Sequence, residues 1–510
     1  MSEVFNSVVT TLNGILWGLP LPIVCLGGGI IFTIVLRAPQ IRHIKIMVKM
    51  LFGSKSSDTG LSSFQSFCLA IAGRVGIGNI AGVATGICYG GPGALFWMWM
   101  TAIFGAATAF IECSMAQLYK EERDGEYRGN AGYYFGKRFN CRALGIIYGV
   151  IFIAAEALTQ NCLQANACAQ ALYTSFNIPV WVTAIVMAAL IAYLAFGGAK
   201  RMGRFAEIVV PFMAVAYILV ALIILFMNIT KVPAAFALVF ECAFDPEAVF
   251  GGALGSAIIW GVKRAVYSSE TGMSTATPSS GAAEVSHPAK QGLVQAFSIY
   301  VDTLFVCTAT GIILILTNVY NCVDEASGEF LIEHDVLAGN AAPGAPWVQA
   351  ALGSVFSWGP HFISIALVFF AFTTCMNQMY NCESTLTFFF KGSTPKWAFN
   401  VLRVIFLAFV IYAGLLESTA AWAFGDVGIG LITWGNMLFL FTCLPIARKL
   451  LLDFEAQKNA GLDPIFDPDK FNWHGTETWR VIRDKYKSGK LPSDPNFGPH
   501  LKKEKKIEQK

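Results

Sequence analysis

The chain has 510 residues and a net charge of +3. It is 55% hydrophobic and 14% charged, with a mean hydropathy of +0.56, whereas soluble domains carry roughly 25% charged residues. That balance excludes an ordinary soluble enzyme, gives no electrostatic basis for nucleic-acid binding, and points to a polytopic membrane protein.

About 20 apolar residues cross a bilayer, with a range of about 17–25, and this ruler predicts about eleven spans. In chain order they lie near 17–37, 63–90, 93–118, 143–172, 178–198, 205–228, 248–272, 290–318, 358–388, 397–416 and 424–447. They are called the first to the eleventh span below. The N-terminus lacks Lys and Arg and runs into the first apolar segment, so no cleavable leader is expected. Cysteines such as Cys68 and Cys307 sit inside apolar runs, and none forms a C-x-x-C pair. They read as small buried side chains rather than a metal or redox site.

Loop charge predicts orientation. Arg42, Lys45, Lys49 and Lys55 follow the first span; Lys120, Arg123, Arg128, Lys137, Arg138 and Arg142 follow the third. Lys200, Arg201 and Arg204 follow the fifth, Lys391 and Lys396 the ninth, and a basic tail the eleventh. These are alternate loops, predicted to be cytoplasmic. The opposite loops are almost free of Lys and Arg, apart from Lys231; the loop 319–357 carries Asp324, Glu325, Glu329, Glu333 and Asp335. The expected localisation is therefore the cell membrane, multi-pass, with the N-terminus outside and the C-terminus in the cytoplasm.

The second span contains AGRVGIGNIAGVATGICYGGPG, with Gly73, Gly76 and Gly78 close together. Each glycine costs about 1 kcal/mol relative to alanine in a helix interior, so this helix is built to be interrupted. Broken backbone at membrane depth is tolerated only where protein or a water-lined cavity satisfies it, and transporters hold substrates and ions at such breaks. The seventh span is also glycine-rich (Gly251, Gly252, Gly255, Gly261), and its break is expected at Gly261. The two glycine-rich spans are five apart in order, an odd offset whose parity permits two inverted five-helix repeats. The predicted organisation is 1–62 (periplasmic N-terminus, first span, basic loop), 63–230 and 246–448 (the two repeats), and 449–510. The last is a cytoplasmic tail, ordered around Trp473 and Trp479 and disordered at its end.

Arg74 lies about eleven residues into the second span, roughly 16 Å deep at 1.5 Å per residue, and a midplane Arg is costly. Glu112, Glu156 and Glu383 are its candidate partners, either as a structural ion pair or as a network tuning a cation site. Lys263, Arg264 and Glu270 are expected to form a cytoplasmic-side network at the seventh span. Unwinding at Gly76–Gly78 presents N–H groups at the start of a new half-helix, suited to a carboxylate. The carbonyls that end the first half-helix suit a hard cation such as Na⁺.

Residues 62–120, together with AEIVVPFMAVAYIL, VPAAFALVF, VYSSETGMSTA, HPAKQGLVQ, DTLFVCTATG and FAFTTCMNQMYNCE, resemble the alanine or glycine:cation symporter family over nearly all of 10–450. The resemblance implies an all-α, leucine-transporter-like five-plus-five inverted repeat preceded by one extra helix. It also implies secondary uptake of a small neutral amino acid (alanine or glycine, with D-alanine a further candidate) driven by Na⁺, with no cofactor besides that coupling ion. The family's Gly-Thr-Gly-Asn motif reads Gly76-Ile77-Gly78-Asn79 here, so the Thr hydroxyl is absent. By position, the backbone of Ile77 and Gly78, with Asn79, Gln164, Gly261, Thr374 and Gln378, is implied to bind substrate. Ala72, Val75, Asn79, Thr373 and Thr374 are implied to hold Na⁺. Gln378 stands where the family has Trp, which enlarges or repolarises the side-chain pocket. Hydroxyls bonded to their own helix, and an interhelical bond from Gln164, are the plain structural readings of the same residues.

The alternative within transport is an H⁺-coupled or glutamine-type transporter of the same fold. A membrane-embedded enzyme would need a nucleophile, base or metal cluster; the six histidines lie in or near loops and none makes an H-E-x-x-H pair. A channel would need a pore ring that a single chain does not display. The expected partners are the amino acid, Na⁺ and the bilayer.

Overall fold

The computed structural model describes residues 3–244, 254–325, 327–334 and 343–499. Gly251 and Gly252 of the predicted seventh span and the tail end 500–510 lie outside them. Eight helices in the described residues are long and apolar enough to cross a membrane, or nine if the bent pair Ser63–Arg74 and Ile77–Gly90 counts as one span. Val180–Ala195, at the predicted fifth span, is apolar but has only 16 residues. Side chains such as Ile208, Phe212, Val215 and Phe226 on the sixth span are exposed, as expected of a helix whose outer face meets lipid.

The third span, Gly93–Leu118, is the packing centre. The seventh and eighth spans and Pro20–Val35 of the first lie against it. Small residues permit this approach. A methyl on Gly292 of the eighth span would come within 2.7 Å of the Phe110 carbonyl oxygen, and one on Gly261 within 2.7 Å of that of Ala94. Gly261 is thus a contact point inside the continuous helix Leu254–Ser269, and the expectation of a break there is corrected. The interruption falls at 270–276, before the short helix Thr277–Gly281. Three successive reversals mark it, with positive φ at Glu270 (+53°), Gly272 (+80°) and Ser274 (+64°). The glycine count pointed to the wrong place because helical glycines serve close packing as readily as breaks.

The loops predicted to share one side do meet. Lys200 donates to the Asp58 carbonyl at 2.7 Å, Arg123 to that of Lys391 at 2.9 Å, and Arg42 pairs with Glu455 at 2.9 Å. At the other end, Lys263 pairs with Asp426 at 2.7 Å and Arg264 lies 3.7 Å from the same carboxylate. Glu270 is not part of that pairing, and the proposed Lys263–Arg264–Glu270 network is corrected: Asp426, at the start of the last long helix, takes both cations. A helix not foreseen, Glu3–Leu16, joins the same neighbourhood. The Trp434 indole donates to the Leu16 carbonyl at 2.9 Å and the Trp17 indole to that of Asp426 at 2.8 Å. All thirteen cysteines are free and all but Cys141 are buried, as the apolar reading requires.

Residues 460–499 are more than a solubilising tail. Trp479 is fully buried and its indole donates to the Gln117 and Leu118 carbonyls at 3.1 Å, closing the last turn of the third span. Lys290 is held by Asp463 and Asp494, and the Phe466 N–H donates to Ser286 at 2.9 Å. The charged composition of this segment reflects buried pairing as well as solvation. Trp479→Ala should weaken its docking by about 3–5 kcal/mol, the usual cost of deleting a buried indole. The expected readouts are a lower thermal midpoint and faster proteolysis within 460–499; unchanged values in both would contradict this packing.

Candidate functional site

The second span starts on a capping box, with Ser62 Oγ accepting from the Gln65 N–H and Gln65 Oε1 from the Ser62 N–H. Its first half, Ser63–Arg74, ends at Val75 (φ −77°, ψ 85°), and Gly76 is extended. One 3₁₀ turn, Ile77–Asn79, leads into Ala81–Gly90, and the two parts are bent by 59°. The predicted break is therefore present where the glycines placed it. Gly76 is required by close approach: an added methyl would lie 2.6 Å from Thr374 Oγ1 and 3.2 Å from Gln164 Oε1. Gly78 is pressed against the Tyr267 ring, 2.9 Å from an added methyl.

The freed backbone groups find side chains, as buried polar groups in an apolar medium must. The Gly76 N–H donates to Asn79 Oδ1 at 2.9 Å and the Ile77 N–H to Gln164 Oε1 at 3.3 Å. Thr374 Oγ1 donates toward the Ala72 carbonyl at 3.0 Å and the Gly73 carbonyl at 3.3 Å, while also reaching Phe370 of its own helix at 2.9 Å. Thr373 instead bonds Phe369 and Phe370 of its own helix, at 2.9 and 3.1 Å. So Ala72, Gly76, Ile77, Gln164 and Thr374 are brought together, and Thr373 and Gly261 are not brought to them. Thr374, Asn377, Gln378 and Asn381 recur at i, i+3, i+4 and i+7, on one face of Gly359–Leu386. Thr374 and Asn377 on that face meet Gly76 and Gly73. Gln378 is fully buried and neither amide atom has a partner among the described residues.

Arg74 corrects a second expectation. It forms no ion pair among the described residues; its Nε donates to the Ser269 carbonyl at 2.7 Å, and Nη1 reaches Gln295 and Ser298. Ser269 ends the helix Leu254–Ser269. The guanidinium therefore caps the negative end of the seventh-span half-helix and ties the two interrupted helices together at their breaks. The glutamates proposed for it make their hydrogen bonds elsewhere, and Glu112 Oε1 has no partner among the described residues. Glu383 pairs with Arg403 at 2.6 Å. Glu156 accepts from Asn381 at 3.0 Å and Gln160 at 2.8 Å. Glu112 accepts from the Ser274 N–H at 3.3 Å and Asn436 at 3.0 Å, on the far side of the seventh-span break.

Asp302 belongs to the site and was missed. It is fully buried in the π-helical stretch Tyr300–Cys307. There it accepts from Asn79 Nδ2 at 2.6 Å, Ser268 Oγ at 3.0 Å and Thr303 Oγ1 at 2.7 Å. Asn79 thus uses both ends of its amide to lock the break rather than to face outward. The available signal was an acidic residue in the middle of an apolar span, the criterion that did select Glu112 and Glu156. Together the site offers oxygen donors at the end of one half-helix and N–H groups at the start of the next, a pairing suited to a cation and a carboxylate.

The profile of the sodium:alanine symporter family matches residues 1–468. A protein of Bacillus subtilis strain 168, YrbD, whose name suggests a sodium/proton-dependent alanine carrier, is 44% identical over 92% of this chain and 97% of its own length. The sodium/proton-dependent alanine carrier protein of Bacillus sp. strain PS3 is 42% identical, with 85% and 97% covered. GlnT of Bacillus subtilis strain 168, whose name suggests a sodium/glutamine symporter, is 34% identical, with 94% and 97% covered. The chain is a multi-pass membrane protein that belongs to the sodium:alanine symporter family, a family of transporters rather than enzymes.

Proposed function

We propose that this protein imports a small neutral amino acid, alanine or glycine, together with Na⁺ by alternating access. The carrying observation is the junction at the second-span break, where the Thr374 hydroxyl reaches the Ala72 and Gly73 carbonyls while Gln164 holds the Ile77 N–H. In this reading Na⁺ sits between the Ala72 and Val75 carbonyls and the Thr374 hydroxyl, an oxygen-only set that suits a hard cation. Thr373 joins it by turning its hydroxyl from its own helix. The substrate carboxylate takes the N–H groups of Ile77 and Gly78, displacing Gln164, whose amide oxygen is then free for the substrate ammonium. The five-plus-five inverted repeat, with the N-terminus outside, is part of the same proposal. It is supported by the meeting of the two breaks at Arg74 and Ser269 and by the contacts among the basic loops.

Uptake of labelled alanine into proteoliposomes should follow an imposed Na⁺ gradient, and uptake indifferent to any ion gradient would rule the reading out. Loss of one ligand hydroxyl is worth about 1–3 kcal/mol, so Thr374→Val should raise the Na⁺ concentration for half-maximal uptake about 10- to 100-fold. Thr373→Val should do less, because its hydroxyl is committed to its own helix. Equal effects would favour a symmetric role for the pair.

A second reading, uptake of glutamine, is favoured by Gln378. A buried amide with no partner among the described residues is suited to bond a carboxamide side chain, and an unmet amide costs about 1–3 kcal/mol. Competition of alanine uptake by glycine, glutamine and D-alanine separates the readings. Gln378→Leu should reduce glutamine competition about tenfold or more while sparing alanine. An unchanged ranking would remove Gln378 from substrate selection.

Arg74 has a structural task in either case. Arg74→Ala should lower the thermal midpoint, since it strips the Ser269 carbonyl and Gln295 of their donor. Arg74→Lys should rescue it only in part, because an ammonium cannot span both acceptors as the planar guanidinium does. Full rescue by Lys would show that charge alone is needed.

A further inference from the structure

Glu270 is a buried carboxylate to which the proposed function gives no task. Glu270 opens the seventh-span break in a left-handed conformation, φ +53°, uncommon for a residue with a side chain. It is 2% exposed. It accepts from Thr275 Oγ1 at 2.7 Å and forms no ion pair among the described residues. The neighbouring cation, Arg74, donates through Nε and Nη1 to Ser269, Gln295 and Ser298, while its Nη2 has no hydrogen-bond partner among the described residues.

Across from it stands an amide that is unmet. Asn377 is fully buried, and among the described residues neither its Oδ1 nor its Nδ2 has a hydrogen-bond partner. The two side chains reach the same point from different elements. A methyl added to Gly73 would overlap the Asn377 amide nitrogen and come within 3.0 Å of Glu270 Oε2. Gly73 lies in the last turn of the half-helix Ser63–Arg74, where the carbonyls carry partial negative charge. The carboxylate and the carbonyl end form an electronegative cradle, and the Asn377 amide, one turn of the ninth span away from Thr374, meets it with its nitrogen. A buried carboxylate persists in such a place when a cation or a proton neutralises it, and the amide can rotate to add its oxygen.

We propose that Glu270 and Asn377 bind a monovalent cationic group beside Gly73, at a site additional to the one closed by Thr374. Two sources share this chemistry, a Na⁺ ion and the α-ammonium of the amino acid; the inference rests on the symport reading for both. Either would place positive charge between the two interrupted helices and hold their breaks together when the site is loaded.

The test uses full-length protein purified in detergent, with ²²Na⁺ binding measured without amino acid and labelled alanine binding at saturating Na⁺. If Na⁺ is the group, Glu270→Gln should weaken ²²Na⁺ binding at least about tenfold. If the ammonium is the group, ²²Na⁺ binding should be unchanged and alanine binding should fall by that factor. Gly73→Ala, whose methyl fills the cradle, should reproduce the same loss and serves if Glu270→Gln does not give monodisperse protein. Both bindings within twofold of wild type in a monodisperse variant would overturn the site. Wild-type uptake into proteoliposomes, run alongside, separates the outcomes. Uptake without Na⁺ dependence counts against the symport reading, whereas normal uptake with unaffected variants counts against Glu270 and Asn377 alone.

Discussion

The hydrogen bond from Arg74 to the Ser269 carbonyl is the contact on which the centre of this protein turns. Two helices stop in the middle of an apolar bundle, and each stop leaves backbone groups that no lipid can satisfy. A guanidinium at the end of one half-helix, capping the end of the other, answers part of that demand and fixes the two breaks side by side. Asn79, Gln164 and Thr374 answer the rest by bonding Gly76, Ile77, Ala72 and Gly73. Each satisfies the broken backbone with a side chain, and in the proposed function the substrate carboxylate takes the place of Gln164 at the Ile77 N–H.

The surrounding bundle exists to make that arrangement possible. The third span makes glycine-mediated contacts with the seventh and eighth, and Asp302 of the eighth accepts from both Asn79 and Ser268. The polar stripe of the ninth span supplies Thr374 and Asn377 from the other side. At the basic-loop end, residues 460–499 seal the third and eighth spans through Trp479 and Lys290. Asn377 and Gln378 on that stripe are buried with neither amide atom partnered among the described residues, as is Gln291 on the eighth span. Native interiors seldom leave such groups unmet, which is why the proposed function turns to Gln378 and the further site to Asn377.

Much of this was legible in the chain because the rules involved are local. Apolar length placed helices at the third, fourth, sixth, eighth, ninth and tenth spans, since the bilayer sets a fixed ruler. Gly73, Gly76 and Gly78 placed the second-span break, since three glycines in one turn and a half weaken a helix whatever surrounds it. The Arg74 anomaly was visible too, as a cation where none is cheap, but its partner was not. A carbonyl at a helix end is an acceptor that any sequence possesses, so no residue type singles out Ser269 as glutamate side chains single themselves out.

What the sequence determined by itself, then, is a membrane-spanning helical chain with an interrupted second span and a full-length family likeness, because hydropathy and glycine content act within a window of residues. Tertiary structure alone decided where the seventh span breaks, that Gly261 is a contact with Ala94, that Asp302 locks Asn79, that Lys263 and Arg264 share Asp426, and that Glu270 and Asn377 converge on Gly73. Each is a pairing between elements many residues apart, and which partner a buried polar group finds depends on which helix faces package it there.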